Sequence, residues 1–216
     1  MNRLRRCRVR LTGDSSGMTL VEVIVAIAIM GIVATAAIGL TISSTIGSVS
    51  QQRRAIAVTV ANAAMETVRG LPADALISGR AALPVHASFT GNSGISGINK
   101  TYEKFDTNPL TMSLGPTVPI VSSVTQNGTV YSVTTIIGTC FEMLGTNAGQ
   151  AAGGDCAKLD VLPYAPLIYS GYTPLTRVIV VVGWTAGQGC AIAGSCAFTI
   201  SSLIDSHSDL EWKTNG

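Results

Sequence analysis

Apolar and polar residues follow three regimes along this chain, and each predicts a different element. From residue 18 to about residue 50 the chain is almost wholly apolar: Glu22 stands near its start, and no charged residue follows from Val23 to Gln52. A polar break, Gln51-Gln52-Arg53-Arg54, comes next, after which Ile56, Val60, Ala63, Ala64 and Val68 recur at spacings of three and four. That stripe belongs to an amphipathic helix packed on a folded domain. No proline occurs between Met18 and Arg69, so both stretches predict one helix of roughly 52 residues, about 78 Å long. Gly70 followed by Leu71-Pro72 supplies a stop, with Arg69 at the negative end of the helix dipole. Only the first half need cross a bilayer, since about 20 apolar residues suffice.

Beyond the helix the period changes. Residues 79–128 are rich in Gly, Ser, Thr and Asn with scattered apolar positions, which predicts a long surface loop holding at most short strands. Residues 129–137 and 177–184 are strongly strand-prone, and residues 197–204 alternate. The last two flank a glycine-rich connection and predict an antiparallel hairpin, while Asn127-Gly128 is a turn signal ahead of the first strand. The fold class is therefore α+β: a long N-terminal helix packed on a small antiparallel sheet of three or four strands.

Charge is concentrated in front of the apolar run. The first seventeen residues carry Arg3, Arg5, Arg6, Arg8 and Arg10 against one acid, Asp14, and end in Ser15-Ser16-Gly17. Arginines beside a span favour the cytoplasmic side, which places the N-terminus inside and the bulk of the chain outside. An ordinary secretory signal puts its cleavage site behind the apolar stretch; here the Gly-Met junction precedes it. Neither the Arg5-Arg6 pair nor Cys7 fits a twin-arginine or lipoprotein signal, because an acid interrupts the first and the cysteine precedes the apolar core. The precursor has a formal charge of +2. Removal of the leader's five arginines and one aspartate leaves nine basic and eleven acidic residues, a formal charge of −2, so no basic patch of the nucleic-acid-binding kind remains and nucleic acid is disfavoured as a partner.

Gly17-Met18-Thr19-Leu20-Val21-Glu22, with a basic leader before it and a long apolar helix after it, resembles the class III signal of type IV prepilins and pseudopilins. The resemblance is specific over about fifty residues and looser beyond. It implies a pilin-like fold in three parts: a leader at 1–17, a helix at 18–70 spanning the membrane in its first half, and a β-rich outer domain at 71–216. It also implies that a prepilin peptidase cuts after Gly17 and methylates Met18, where relatives most often have phenylalanine. Glu22 would then lie one helical turn from the new ammonium group, on the same face. Paired within a chain or between neighbours, the two charges become tolerable in an apolar bundle; removing one strands the other at about 3–5 kcal/mol. The competing reading of Glu22 is a helix-end acid that snorkels to the headgroups. Gly31, Gly39 and Gly47 fall at intervals of eight, suited either to close helix approach or to the loosening that the resembled family shows in this region.

Cys140, Cys156, Cys190 and Cys196 remain in the outer domain once Cys7 is removed, and an even number in an exported region implies two disulfides. Four cysteines permit three connectivities. Pairing Cys140 with Cys156 and Cys190 with Cys196 is favoured because each closes one loop between strands, worth about 3 kcal/mol for a 15-residue loop. No CxxC pair or histidine accompanies them, so no metal is expected.

The sequence does not point to an enzyme or a cofactor. His86 and His207 are the only histidines, no Gly-x-Ser-x-Gly elbow occurs, and the glycine-rich stretches lack the lysine of a phosphate loop. Asp155, Asp160, Asp205, Asp209 and Glu211 are too scattered to form a carboxylate pair, and Tyr164, Tyr169 and Tyr172 predict an aromatic loop. The leading expectation is a minor-pilin-like structural subunit, carried to the surface in a fibre with other pilin subunits and assembly machinery. The alternatives are a pseudopilin of a secretion or DNA-uptake system and a membrane-anchored binding module or adhesin.

Overall fold

The computed structural model describes residues 17–143, 156–159, 172–185, 190 and 194–205. The chain divides into two compact units, Met1–Ile46 and Gly47–Gly216, and the division falls inside the first helix. That helix, α1, runs Leu20–Arg69 without a break. Short helices α2 (Ala73–Ile77), α3 (Ala82–Gly91) and α4 (Pro109–Leu114) follow, interleaved with strands β1 (Tyr102–Glu103), β2 (Val121–Gln126), β3 (Thr129–Met143), β4 (Tyr172–Thr185) and β5 (Ser195–Asp205). The helix-on-antiparallel-sheet architecture is α+β and pilin-like.

All five strands join one antiparallel sheet in the order β1-β3-β4-β5, with β2 beside β3 on the same side as β1. Asn127 and Gly128 both take positive φ, 49° and 72°, between β2 and β3. Such a turn matches strand twist and sets the register Gln126 opposite Thr129. The sheet has one strand more than the four allowed by sequence, because the two-residue β1 is too short to leave a pattern.

One face of the sheet packs on the second half of α1. Ala57, Val60, Ala61, Met65 and Val68 are buried there against Tyr131, Val133 and Ile137 of β3 and Val178, Val180, Val182 and Trp184 of β4. The stripe is rotated from the expected one: Ala63 is exposed, Ile56 and Ala64 are half-buried, and Ala57, Ala61 and Met65 replace them. Two alanines in the contact row bring the helix close to the strands, a preference that a count of large apolar residues misses.

The other face carries a second layer. Val85 and Phe89, one turn apart on α3, pack with Ile98 against Ile136, Ile179 and Val181. β3 and β4 are thus covered on both sides, which is why residues 178–182 read as an unbroken apolar run. This corrects the expectation of a long loop at 79–128, which contains a ten-residue helix, α3, besides α4 and the short β1 and β2. Pro84 sits in the first turn of α3, where its missing N–H costs nothing, and with so few buried positions the helix leaves no readable period. β4 also starts five residues before the expected strand, in spite of Pro174. The register explains it: among the described residues β5 reaches only to Leu175 opposite Asp205, so Pro174 pairs with Phe141 of β3 and has no described strand on its other side.

Buried arginines fix the connecting segment to the sheet. Arg80 is fully buried, donating from Nη1 to the Val118 carbonyl at 2.9 Å and from Nη2 to the Thr135 carbonyl at 2.6 Å. Desolvation pushes its guanidinium down to about 10, still a cation at neutral pH. Arg177 on β4 donates from Nη1 to the Gly97 carbonyl at 2.9 Å and to Thr101 Oγ1 at 3.2 Å, and from Nη2 to the Cys156 carbonyl. Next to Arg80, the carboxylate of Asp106 accepts from the backbone N–H groups of Gly79 at 2.7 Å and Asn108 at 2.8 Å and from the Thr111 hydroxyl.

Candidate assembly and processing site

The segment before α1 and the helix's first half are assembled from residues that leave the surface apolar and open. Gly17, Met18 and Thr19 precede the helix, and Met18 is 75% exposed. A Cβ placed on Gly17 would meet nothing within 4 Å, so the peptide bond after it is sterically accessible. Every residue from 17 to 49 is exposed, with Leu20, Met30, Ile32 and Leu40 each at least 70% accessible. So much bare apolar surface has no place in water and marks an interaction or membrane surface. The helix is long and apolar enough to cross a membrane.

Thr19 caps α1: its Oγ1 accepts from the Glu22 N–H at 3.4 Å, and its carbonyl accepts from the same N–H at 3.0 Å. Thr19-Leu-Val-Glu22 is the opening of a capping box, and an acid in the first turn also complements the helix dipole. The sequence reading passed over this local role for Glu22, although the Thr-x-x-Glu spacing ahead of an apolar run signals it. Glu22 is thus an exposed carboxylate in the first turn, four residues after Met18.

Three threonine hydroxyls within the apolar half are satisfied by the helix itself. Thr35 Oγ1 donates to the carbonyls of Gly31 and Ile32, Thr41 Oγ1 to that of Ala37, and Thr45 Oγ1 to that of Thr41, at 2.9–3.1 Å. In hydrocarbon an unsatisfied hydroxyl costs several kcal/mol, so this back-bonding makes the three threonines compatible with a bilayer. Added Cβ atoms on Gly31, Gly39 and Gly47 would meet nothing within 4 Å, so these notches are open on a single chain.

The cysteines lie elsewhere, in the sheet. Cys140 is bonded to Cys156 with Cα atoms 5.3 Å apart, both fully buried, and Cys190 to Cys196 at 4.9 Å across the β4–β5 connection. The first bond holds Ala157 against Phe141, where reciprocal N–H to carbonyl bonds of 2.9 and 3.1 Å form an isolated bridge. Among the described residues no group of three or more His, Cys, Asp and Glu side chains is placed to hold a metal. His86 is exposed on α3, its Nδ1 3.0 Å from Glu103 Oε1. Tyr172 opens β4 and Asp205 ends β5. The leader's arginines and Asp14, and Asp155, Asp160, Tyr164, Tyr169, His207, Asp209 and Glu211, lie outside the described residues.

Residues 13–38 match the family model of the prokaryotic N-terminal methylation motif. No curated protein and no solved structure matches the chain. The matched stretch includes Gly17, Met18, Thr19, Glu22 and the exposed start of α1, the geometry described above. The chain carries the class III signal found in type IV prepilin-like proteins, and the helix that follows it is long and apolar enough to serve as a membrane anchor. A signal of this kind implies processing by a prepilin peptidase and assembly with other pilins.

Proposed function

We propose that this chain is a fibre subunit: it is inserted with its N-terminus in the cytoplasm and its sheet outside, cut after Gly17, methylated on Met18, and drawn through its helix into a type IV pilus-like filament at the cell surface. The observation that carries the reading is the exposed, uncharged helix surface interrupted by a single carboxylate, Glu22, one turn from the residue that cleavage turns into an N-terminus. That carboxylate meets the ammonium of its own or a neighbouring subunit's Met18, which fixes the axial position of each helix in the bundle.

Coexpression with a prepilin peptidase tests it by intact mass. The chain should lose 17 residues and gain one methyl group on Met18, and Gly17→Ala should block both. Gly17 has open space around it, so the variant reads the peptidase's requirement and not a folding defect. A leader that stays intact beside active peptidase refutes the proposal.

A further inference from the structure

Among the described residues, β2 and β5 are outer strands of the sheet with no further strand beside them, and they match one another. On one side, all six residues of β2 are exposed, Val121 at 62% and Val124 at 38%, and among the described residues β2 pairs with β3 alone. On the other, the strand that β5 pairs with among the described residues is β4. Natural proteins protect such edges with charges, especially lysine, or with proline inside the strand. Here neither is used: residues 107–141 contain no charged side chain, nor do residues 178–204, and both strands lack proline.

The surroundings of β2 are shaped for an incoming strand. A groove of about 300 Å³ lies on its α1 side, between Thr59, Ala63 and Thr67 of the helix and Ser122 and Val124 of the strand. A second, of about 500 Å³, lies on the α3 side, between Pro84, Ala87 and Ser88 and Val121. Strand addition uses this arrangement, with main-chain bonds for affinity and flanking grooves for alternate side chains. Both linings are uncharged, so they suit an uncharged strand of small and medium side chains. Residues 195–204 of β5 are such a stretch: Ala197, Thr199 and Ser201 are exposed on one face, and Phe198 and Ile200 on the other are partly buried against the chain's own core.

Direction also agrees. β2 runs antiparallel to β3, β3 to β4 and β4 to β5, so β2 and β5 point in opposite directions within one chain. Two copies held side by side in the same orientation would therefore bring β2 of one against β5 of the next as an antiparallel pair, with the α1 faces of both sheets on the same side. A contact between two different surfaces of identical chains repeats without closing, as a fibre requires.

We propose that the outer domains of neighbouring copies pair edge to edge, β2 of one subunit with β5 of the next. The proposal deepens the fibre reading and rests on it for copies held in one orientation. By the alternation and register of the sheet, Ser123 on β2 lies on the same face as Thr199 and Ser201 on β5, and all three are exposed.

Two full-length copies are coexpressed with the peptidase, one carrying Ser123→Cys and the other Thr199→Cys or Ser201→Cys, and membranes and fibres are oxidised. A linked species of twice the chain mass should form in at least one mixed pair and in neither copy alone, and Val124→Lys or Val121→Lys in the Ser123→Cys copy should reduce it at least tenfold. Absence of the mixed link, equal linking of either copy with itself, indifference to both lysines, or capture of a different protein by the β2 cysteine overturns the pairing. Leader mass from the same sample separates the two readings: a link with an uncleaved leader supports the edge pairing and refutes the fibre route, whereas a cleaved leader with no link does the reverse.

Discussion

Replacing Glu22 by valine tests the proposed charge pairing apart from the helix cap, because the structure assigns the cap to different atoms. The bond of the cap runs from the Glu22 backbone N–H to Thr19 Oγ1, so Glu22→Val leaves it intact and removes only the carboxylate. The cap is instead removed by Thr19→Ala, which costs about 1 kcal/mol, roughly a fivefold effect at 1.4 kcal/mol per decade. Should Glu22 neutralise the terminal ammonium in the helix bundle, its loss strands that cation at about 3–5 kcal/mol, some two to three and a half decades in the incorporation equilibrium. Insertion itself should be unimpaired, since valine suits the bilayer better than glutamate. The assay is the ratio of processed subunit in sheared fibres to processed subunit in membranes, for wild type, Thr19→Ala and Glu22→Val. Incorporation of Glu22→Val at or above the Thr19→Ala level would refute charge pairing and leave Glu22 as a helix-end acid that snorkels to the headgroups.

Two further outcomes concern the outer domain. A Cβ on Gly138 would lie 2.3 Å from the Tyr102 carbonyl oxygen and 2.5 Å from Thr101 Cγ2, so Gly138→Ala should force β1 from β3 and cost about 1–3 kcal/mol, read as a fall of several degrees in the Tm of the detergent-solubilised chain; an unchanged Tm would show that β1 is not held there. Three donors, the Thr111 hydroxyl foremost and then the backbone of Asn108 and Gly79, hold the Asp106 carboxyl below its ordinary value. A depressed acid stabilises the fold fully above the unfolded carboxylate value, about 3.9, and this contribution fades as pH falls through the folded value. Unfolding midpoints from pH 7 down to pH 2 should therefore drop more steeply at the acid end in wild type than in Asp106→Asn; parallel curves would count against it.

What could be read from the chain depended on whether an element's partner was repetitive or local. The first half of α1 was legible because it carries no charged residue from Val23 to Val49 and no proline to break it, so one composition runs through every turn. β3, β4 and β5 were legible because their register is carried by period-two alternation or, for residues 178–182, by burial on both faces. The second layer was not. Val85 and Phe89 supply only one turn of spacing for α3, and what anchors the segment around it is Arg80 reaching the Val118 and Thr135 carbonyls, 38 and 55 residues away. No local pattern encodes a guanidinium satisfied by distant main-chain oxygens. Thr19 is the opposite case: its cap is wholly local, but the signal is a single Thr-x-x-Glu spacing in which the same acid also reads as an isolated charge at the start of an apolar run.

The division of the chain within α1 gives this helix two different solvents, and its composition changes where they meet. Up to Ile46 large apolar residues face outward on all sides, and the hydroxyls of Thr35, Thr41 and Thr45 are tied back onto the helix's own carbonyls. Past the polar break, burial narrows to the row Ala57, Val60, Ala61, Met65 and Val68, and Arg69 bonds Glu66 at 3.1 Å on the wet side. An all-round apolar surface tolerates many partners, whereas a narrow row with alanines at the contact accepts one sheet at one distance. Specific folding therefore belongs to the second half, whereas nothing in the first half selects one partner over another; between Leu20 and Ile46 the carboxylate of Glu22 is the one charged group, so it is the one side chain there that can tell an apolar environment with a cation from one without.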